Sequence, residues 1–278
     1  MKKENIIFSI FVLLVLLPLF GSNASTQFSE KENFPLAYPS FHDTIPIPNL
    51  IENYKPEMVL SYDTAREILY TQIYNVKDTV SCVYSGYKLP LLHTEENPIM
   101  KLMKLNVFNS IITEHSYPKC KGALEGNANS DMHLLFPVRL GVNVSRYNHP
   151  FGDVNEEECD VWYFEREKYN SKPVGFDSLC AKEGSGKFEP RDSFKGNVAR
   201  AVFYFYTMYK TEADSADETF FEKQRETLLA WHKQDPVDEQ ELNRTRLIAK
   251  YQSGKPNPFV IDESLASRLY SSENALTE

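Results

Sequence analysis

Asp131-Met132-His133-Leu134-Leu135-Phe136-Pro137, followed by Val142-Asn143-Val144-Ser145-Arg146-Tyr147-Asn148-His149-Pro150-Phe151-Gly152, is the stretch whose reading decides the fold. It gains meaning from a shorter segment upstream, Thr113-Glu114-His115-Ser116-Tyr117-Pro118. Residues Asn106 to Ile112 predict a strand that delivers Glu114 and His115 at its end. Gly122, Gly126, Asn127 and Asn129 then make Cys120 to Ser130 a loop. Asp131 to Leu140 is apolar again, with helical character towards Asn143, and Tyr147 to Gly152 breaks it. A Glu beside a His at a strand end is a weak signal alone, since most such pairs are surface or satisfied core groups. Neighbours on an ideal strand also point to opposite faces. Glu114 and His115 therefore share one site only where the strand ends or twists, and Pro118 agrees with an ending strand.

Working outward, residues 25–60 carry Pro35, Pro39, Pro46, Pro48 and Pro56 and predict an extended, irregular lead-in. Ser61 is placed to cap a helix bearing Ala65, Ile68, Leu69 and Ile73 at helical spacing. Val80 to Leu91 predicts a strand or hairpin turning at Ser85-Gly86. Residues 153–196 are polar and loop-rich, with one strand candidate at Val161–Phe164. Three helices are expected after them, over Asn197–Tyr209, Thr219–His232 and Asp238–Tyr251, the last ended by Gly254-Lys255-Pro256-Asn257-Pro258. Trp231 and the aromatic stripe at 203–209 read as core. No internal repeat is present. The class is α+β, a small β element among helices in one domain spanning 61–278.

The N-terminus reads as a targeting segment. Lys2 and Lys3 precede a nearly unbroken apolar run from Ile6 to Phe20, and Ser22 and Ala24 supply a small-residue cleavage pattern. That run of about 15 residues is short of the roughly 20 needed to span a bilayer. A signal peptide over 1–24 is expected, with a secreted or periplasmic product that is monomeric and holds no stable membrane association. Cys82, Cys120, Cys159 and Cys180 permit two disulfides in an oxidising compartment, Cys159–Cys180 being the most local pairing, with free buried thiols as the alternative. The net charge of −9 excludes a protein that coats nucleic acid by bulk charge. It leaves room for a local basic cleft, and Lys101, Lys104, Lys119, Lys121, Arg139 and Arg146 do gather in the middle third.

Together the two opening segments resemble the endonuclease I family of secreted nucleases, within the His-Me finger (ββα-metal) group. The likeness extends downstream through Lys195-Gly196-Asn197-Val198-Ala199-Arg200, Trp231 to Val237, Glu241, Arg244, Gln252 and Asn257-Pro258-Phe259. It covers roughly residues 62–270 in the family's order. The resemblance implies a ββα-metal finger embedded in a mostly helical domain. It also implies sequence-independent hydrolysis of DNA and RNA backbones, leaving 5′-phosphates. His115 is then the general base, because neutral imidazole takes a proton near neutral pH. Glu114 and Asn143 supply oxygens to one divalent ion, most simply Mg²⁺, with Mn²⁺ or Ca²⁺ as alternatives. Arg146 is a candidate catalytic phosphate clamp, with hydrogen bonds that tie down the loop as its competing reading; Arg139, Lys119, Lys121 and Arg200 are candidate phosphate contacts. Asp131, His133 and Asn148 are expected to support the finger from outside the reacting shell, and Arg200 has a competing reading as a partner of Glu241.

Two departures from the family pattern stand out. Leu134 replaces an Asn after the His of Asp131-x-His133, and the loop before Asp131 offers Lys119 and Lys121 but no Arg. Asn143-Val144-Ser145 and Asn243-Arg244-Thr245 are formal glycosylation sequons, and a glycan on Asn143 would abolish its metal role. The alternative function is a catalytically inactive secreted binding protein on the same scaffold, motivated by the acidic charge and Leu134. A serine hydrolase is disfavoured, because no Gly-x-Ser-x-Gly elbow occurs and Gly184-Ser185-Gly186 lacks its spacing.

Overall fold

The computed structural model describes residues 46–91, 107–175 and 177–271. The expected signal peptide and most of the lead-in lie outside them. The described end of the lead-in differs from expectation: Pro46 and Pro48 open a helix, α1 (Ile47–Tyr54). Proline is tolerated in a first helical turn because its missing N–H would be unbonded there anyway. Ser61 caps α2 (Tyr62–Ile68), its hydroxyl accepting from Thr64 N at 3.2 Å, and a π-helical turn, Leu69–Ile73, extends it. The hairpin follows as β1 (Thr79–Ser81) and β2 (Lys88–Pro90), with Gly86 at φ +76°.

Strand β3 (Ile111–His115) pairs antiparallel with β4 (Leu135–Arg139), and α3 (Leu140–Arg146) begins at the next residue. Residues 153–196 hold more strand than expected. They form a four-stranded sheet from β5 (Cys159–Phe164), β6 (Glu167–Tyr169), β7 (Ala181–Gly184) and β8 (Lys187–Glu189), in the order β6-β5-β7-β8. Three of these strands are three or four residues long and carry Lys and Glu, too short for a period-2 pattern to show.

The helical half is α4 (Lys195–Met208), α5 (Lys210–Asp217), α6 (Arg225–Gln234), α7 (Glu239–Ala249), α8 (Pro258–Ile261) and α9 (Ser264–Tyr270). Every residue of α4 except Asn197 is buried. A helix buried nearly all round belongs at the centre of a core, and Tyr117, Phe221 and Phe259 pack on its ring stripe. Gly196 permits the close approach of α6, because a Cβ there would sit 1.8 Å from Asp235 O.

None of the four cysteines forms a disulfide, which corrects that expectation. The Cys159 thiol donates to Val161 O at 3.2 Å, and Cys82 Sγ accepts from Ser85 N at 3.4 Å. Cys120 is exposed and Cys82 buried, so the two lie in different environments. Among the described residues no helix is long and apolar enough to cross a membrane.

Candidate active site

Register fixes the site. Glu114 lies opposite Phe136 and His115 opposite Leu135. Leu140 N donates to Ser110 O at 2.8 Å, which turns α3 back onto β3 the moment β4 ends. Asn143 and Arg146 are thereby carried to the end of β3, where Glu114 and His115 are both buried. The strand stops at His115, as Pro118 suggested, and both side chains line one pocket of about 490 Å³ with Tyr62, Lys119, Asn143 and Asn148.

Two oxygens in this pocket are unspent. Glu114 Oε1 and Asn143 Oδ1 are buried without a hydrogen-bond partner. Buried acceptors are normally paired, and an orphan costs about 1–3 kcal/mol. Arg146 Nε stands 3.1 Å from Glu114 Oε1, an ion-pair distance but not a hydrogen-bond alignment. Burial pushes the Glu114 carboxyl up to about 7, with Arg146 opposing the rise. One carboxylate and one amide oxygen suit a hard cation that keeps several waters. Among the described residues no group of three or more His, Cys, Asp or Glu is placed to hold a metal, so the set does not resemble a thiolate–imidazole zinc centre.

His115 is arranged differently. Its Nε2 lies 2.9 Å from Asn129 O. A carbonyl only accepts, so Nε2 carries the hydrogen and Nδ1 keeps the lone pair. Burial holds the imidazole down to about 4, so it is neutral at pH 7. Tyr62 stacks on the ring at 5.6 Å, and the Lys119 ammonium sits over Tyr62 at 4.6 Å.

The other expected residues divide. Asn148 stays with the pocket, its Nδ2 donating to Cys120 Sγ at 3.5 Å. Arg146 reaches the pocket wall but is fully buried. Its Nη2 donates to Ser116 O at 2.8 Å, its Nη1 to Tyr147 O at 3.1 Å, and its plane lies over Phe151. These contacts tie down the loop, as its competing reading had it, and make it a fixed neighbour of Glu114. Lys121 pairs with Asp217 at 2.8 Å.

Lys121 and four further residues do not line the pocket. Arg139 is buried beside Tyr163 and donates to Arg166 O at 2.7 Å. Arg200 is fully buried and grips both Glu241 oxygens, as its competing reading had it, which rules out a phosphate contact there. Asp131 accepts from His133 N, Gln252 Nε2 and the Tyr204 and Tyr209 hydroxyls. His133 donates to Lys255 O at 2.9 Å and meets Tyr204 edge-on. Both tie the loop before β4 to α4 and to the turn after α7.

Sequence reasoning missed Tyr62, Asn129 and Tyr147. Tyr62 follows the Ser61 cap and looks like an ordinary first-turn residue. Asn129 acts through its backbone carbonyl, which leaves no mark in a sequence. Tyr147 is the exposed residue that ends α3, with φ +50° and ψ −118°; only its position inside a run of breakers hints at a special backbone.

The family model described as Endonuclease I matches residues 49–264. An extracellular ribonuclease of Bacillus subtilis (strain 168) is 28% identical over 215 residues, covering 72% of this chain and 68% of the relative. An extracellular ribonuclease of Bacillus amyloliquefaciens is 26% identical over 217 residues, covering 73% and 69%. An extracellular deoxyribonuclease of Aeromonas hydrophila is 30% identical over 135 residues, 47% of this chain and 48% of the relative. With the family's model matched across both halves of the pocket and the helical core behind it, the chain belongs to the endonuclease I family.

Proposed function

We propose that this protein is a secreted endonuclease of the His-Me finger type that hydrolyses phosphodiester bonds in DNA and RNA without sequence preference. The observation that carries the reading is the pair of unpartnered oxygens, Glu114 Oε1 and Asn143 Oδ1, lining one pocket with a neutral His115. β3, β4 and α3 are its two strands and helix. The relatives named as extracellular ribonucleases and deoxyribonuclease support the substrate class and the export.

His115 Nδ1 takes the proton of the attacking water, since Nε2 is held by Asn129 O. Tyr62 keeps the ring plane fixed while the proton moves. Glu114 and Asn143 would hold a divalent cation, and Arg146 keeps Glu114 facing it. When bound, that cation supplies the positive charge that offsets the pentacovalent phosphate and the departing 3′ oxygen, so the product carries a 5′-phosphate. Lys119, exposed at the pocket edge, draws in the backbone without reading bases.

Nicking of supercoiled plasmid tests this. Cleavage is expected with Mg²⁺, Mn²⁺ or Ca²⁺ and none in excess chelator, and His115→Ala should lower the rate by about 10²–10⁴-fold. Parental cleavage by His115→Ala, or cleavage that persists in chelator, would overturn the assignment in favour of an inactive binding scaffold or another mechanism.

A further inference from the structure

Tyr147 holds a backbone conformation that a bulky residue rarely adopts, φ +50° and ψ −118°. Among the described residues the other non-glycine positions with positive φ are Lys77, Asp78, Glu165, Ser185 and Ser253, so Tyr147 is the aromatic exception. The conformation itself has a use. Tyr147 N caps α3 by donating to Asn143 O at 3.0 Å, and Tyr147 O accepts from Arg146 Nη1 at 3.1 Å. Both contacts are backbone contacts, and glycine would make them with less strain. The side chain is therefore not required by the turn.

Nor is it required by the core. Tyr147 is 69% exposed, and its ring contact is the edge of His149 at 6.0 Å. An apolar ring left in water on a strained backbone gains little from folding. It does line the pocket that contains Glu114, His115 and Asn143. Tyr62 lines that pocket too, but its face is already taken by His115 and Lys119.

We infer that Tyr147 is a stacking platform for the nucleobase beside the scissile phosphate. This rests on the nuclease reading of the pocket and goes beyond it by naming a contact to a base. Stacking is tolerant of sequence because every base has a π-face, so the contact adds affinity without a recognition code. Single-stranded and frayed ends, whose bases are free to stack, gain most.

The test compares Tyr147→Phe, Tyr147→Ala and Tyr147→Gly on an oligodeoxyadenylate and on an abasic deoxyribose-phosphate oligomer of equal length. The ratio of kcat/KM on the first to that on the second should fall roughly five-fold or more in the Ala and Gly variants. The loss should sit in KM, and Phe should keep the parental ratio. The melting temperature of Tyr147→Gly should not drop, because the strain is relieved. An unaltered ratio in both Ala and Gly variants overturns the inference, as does an equal loss on the two oligomers. A Phe variant as poor as Ala overturns stacking as its cause. If His115→Ala still cuts, the reading of the pocket has failed; if it does not and the Ala ratio is parental, only the role of Tyr147 has.

Discussion

His115 and His133 make an instructive pair. Each is buried, each places Nε2 at 2.9 Å from a backbone carbonyl, and each is held down to about 4 by burial. They differ in what surrounds the other nitrogen. His133 lies against the edge of Tyr204 in the packed interior, while His115 lines a pocket with two unspent oxygens. The two arginine–carboxylate pairs repeat the contrast. Arg200 saturates both oxygens of Glu241, whereas Arg146 approaches one oxygen of Glu114 and leaves it unbonded. His133 Nδ1 is also buried without a partner, but it lies in the packed interior, whereas His115 lines a pocket. For the two carboxylates, satisfaction of the oxygens, more than their burial, separates the closed pair from the open one.

That contrast breaks first on the histidines. His115→Ala removes activity, as above, with a melting temperature close to the parent's. His133→Ala should do the reverse. It strips a buried ring from between Tyr204 and Lys255 and should cost about 2–4 kcal/mol in urea unfolding, with kcat of the folded fraction within a few-fold of the parent. Equal losses of activity in the two variants would erase the distinction. Next in size is Arg200→Met. Removing one partner of a buried pair leaves Glu241 charged and dry, and about 3–5 kcal/mol of stability should vanish. Arg200→Met with Glu241→Leu should recover part of that, and a double variant no better than the single would deny that the pair is the cause.

Acid stability sharpens the comparison with a smaller effect. The pKa of His133 is lower folded than unfolded, about 4 against 6.5. The folded state therefore favours the neutral ring. Its contribution is fully present above pH 6.5 and is lost as pH falls towards 4, up to about 3 kcal/mol. Urea midpoints measured from pH 7 to pH 4 should fall less steeply in His133→Phe than in the parent. Identical slopes would mean that His133 takes up its proton without opposing the fold.

Much of the fold was legible because it is written locally. The Ser61 cap, the Ser85-Gly86 turn and the aromatic α4 each depend on residues a few positions apart, whereas the strand expected over Asn106–Ile112 is found at Ile111–His115, after a 3-10 turn at Val107–Asn109. The polar strands β6 to β8 were not legible, because strands of three or four residues have no period to detect. The helix at Ile47–Tyr54 was hidden by its prolines, which cap it here instead of preventing it. In the site, Glu114, His115 and Asn143 could be named from the resemblance to the endonuclease I family, and the structure brings all three to one pocket.

By itself the sequence determined the residue chemistry: which carboxylate, imidazole and amide were available, and on which short elements. Only the tertiary structure decided which of them remained unsatisfied. Asp131 finds Tyr204, Tyr209 and Gln252, and Arg200 finds Glu241, all from elements far along the chain, whereas Asn143 Oδ1 finds no hydrogen bond and Glu114 Oε1 has only the misaligned ion pair with Arg146. A hydrogen bond is made or lost over a few tenths of an ångström. That scale is set by how distant segments pack, which local spacing does not encode.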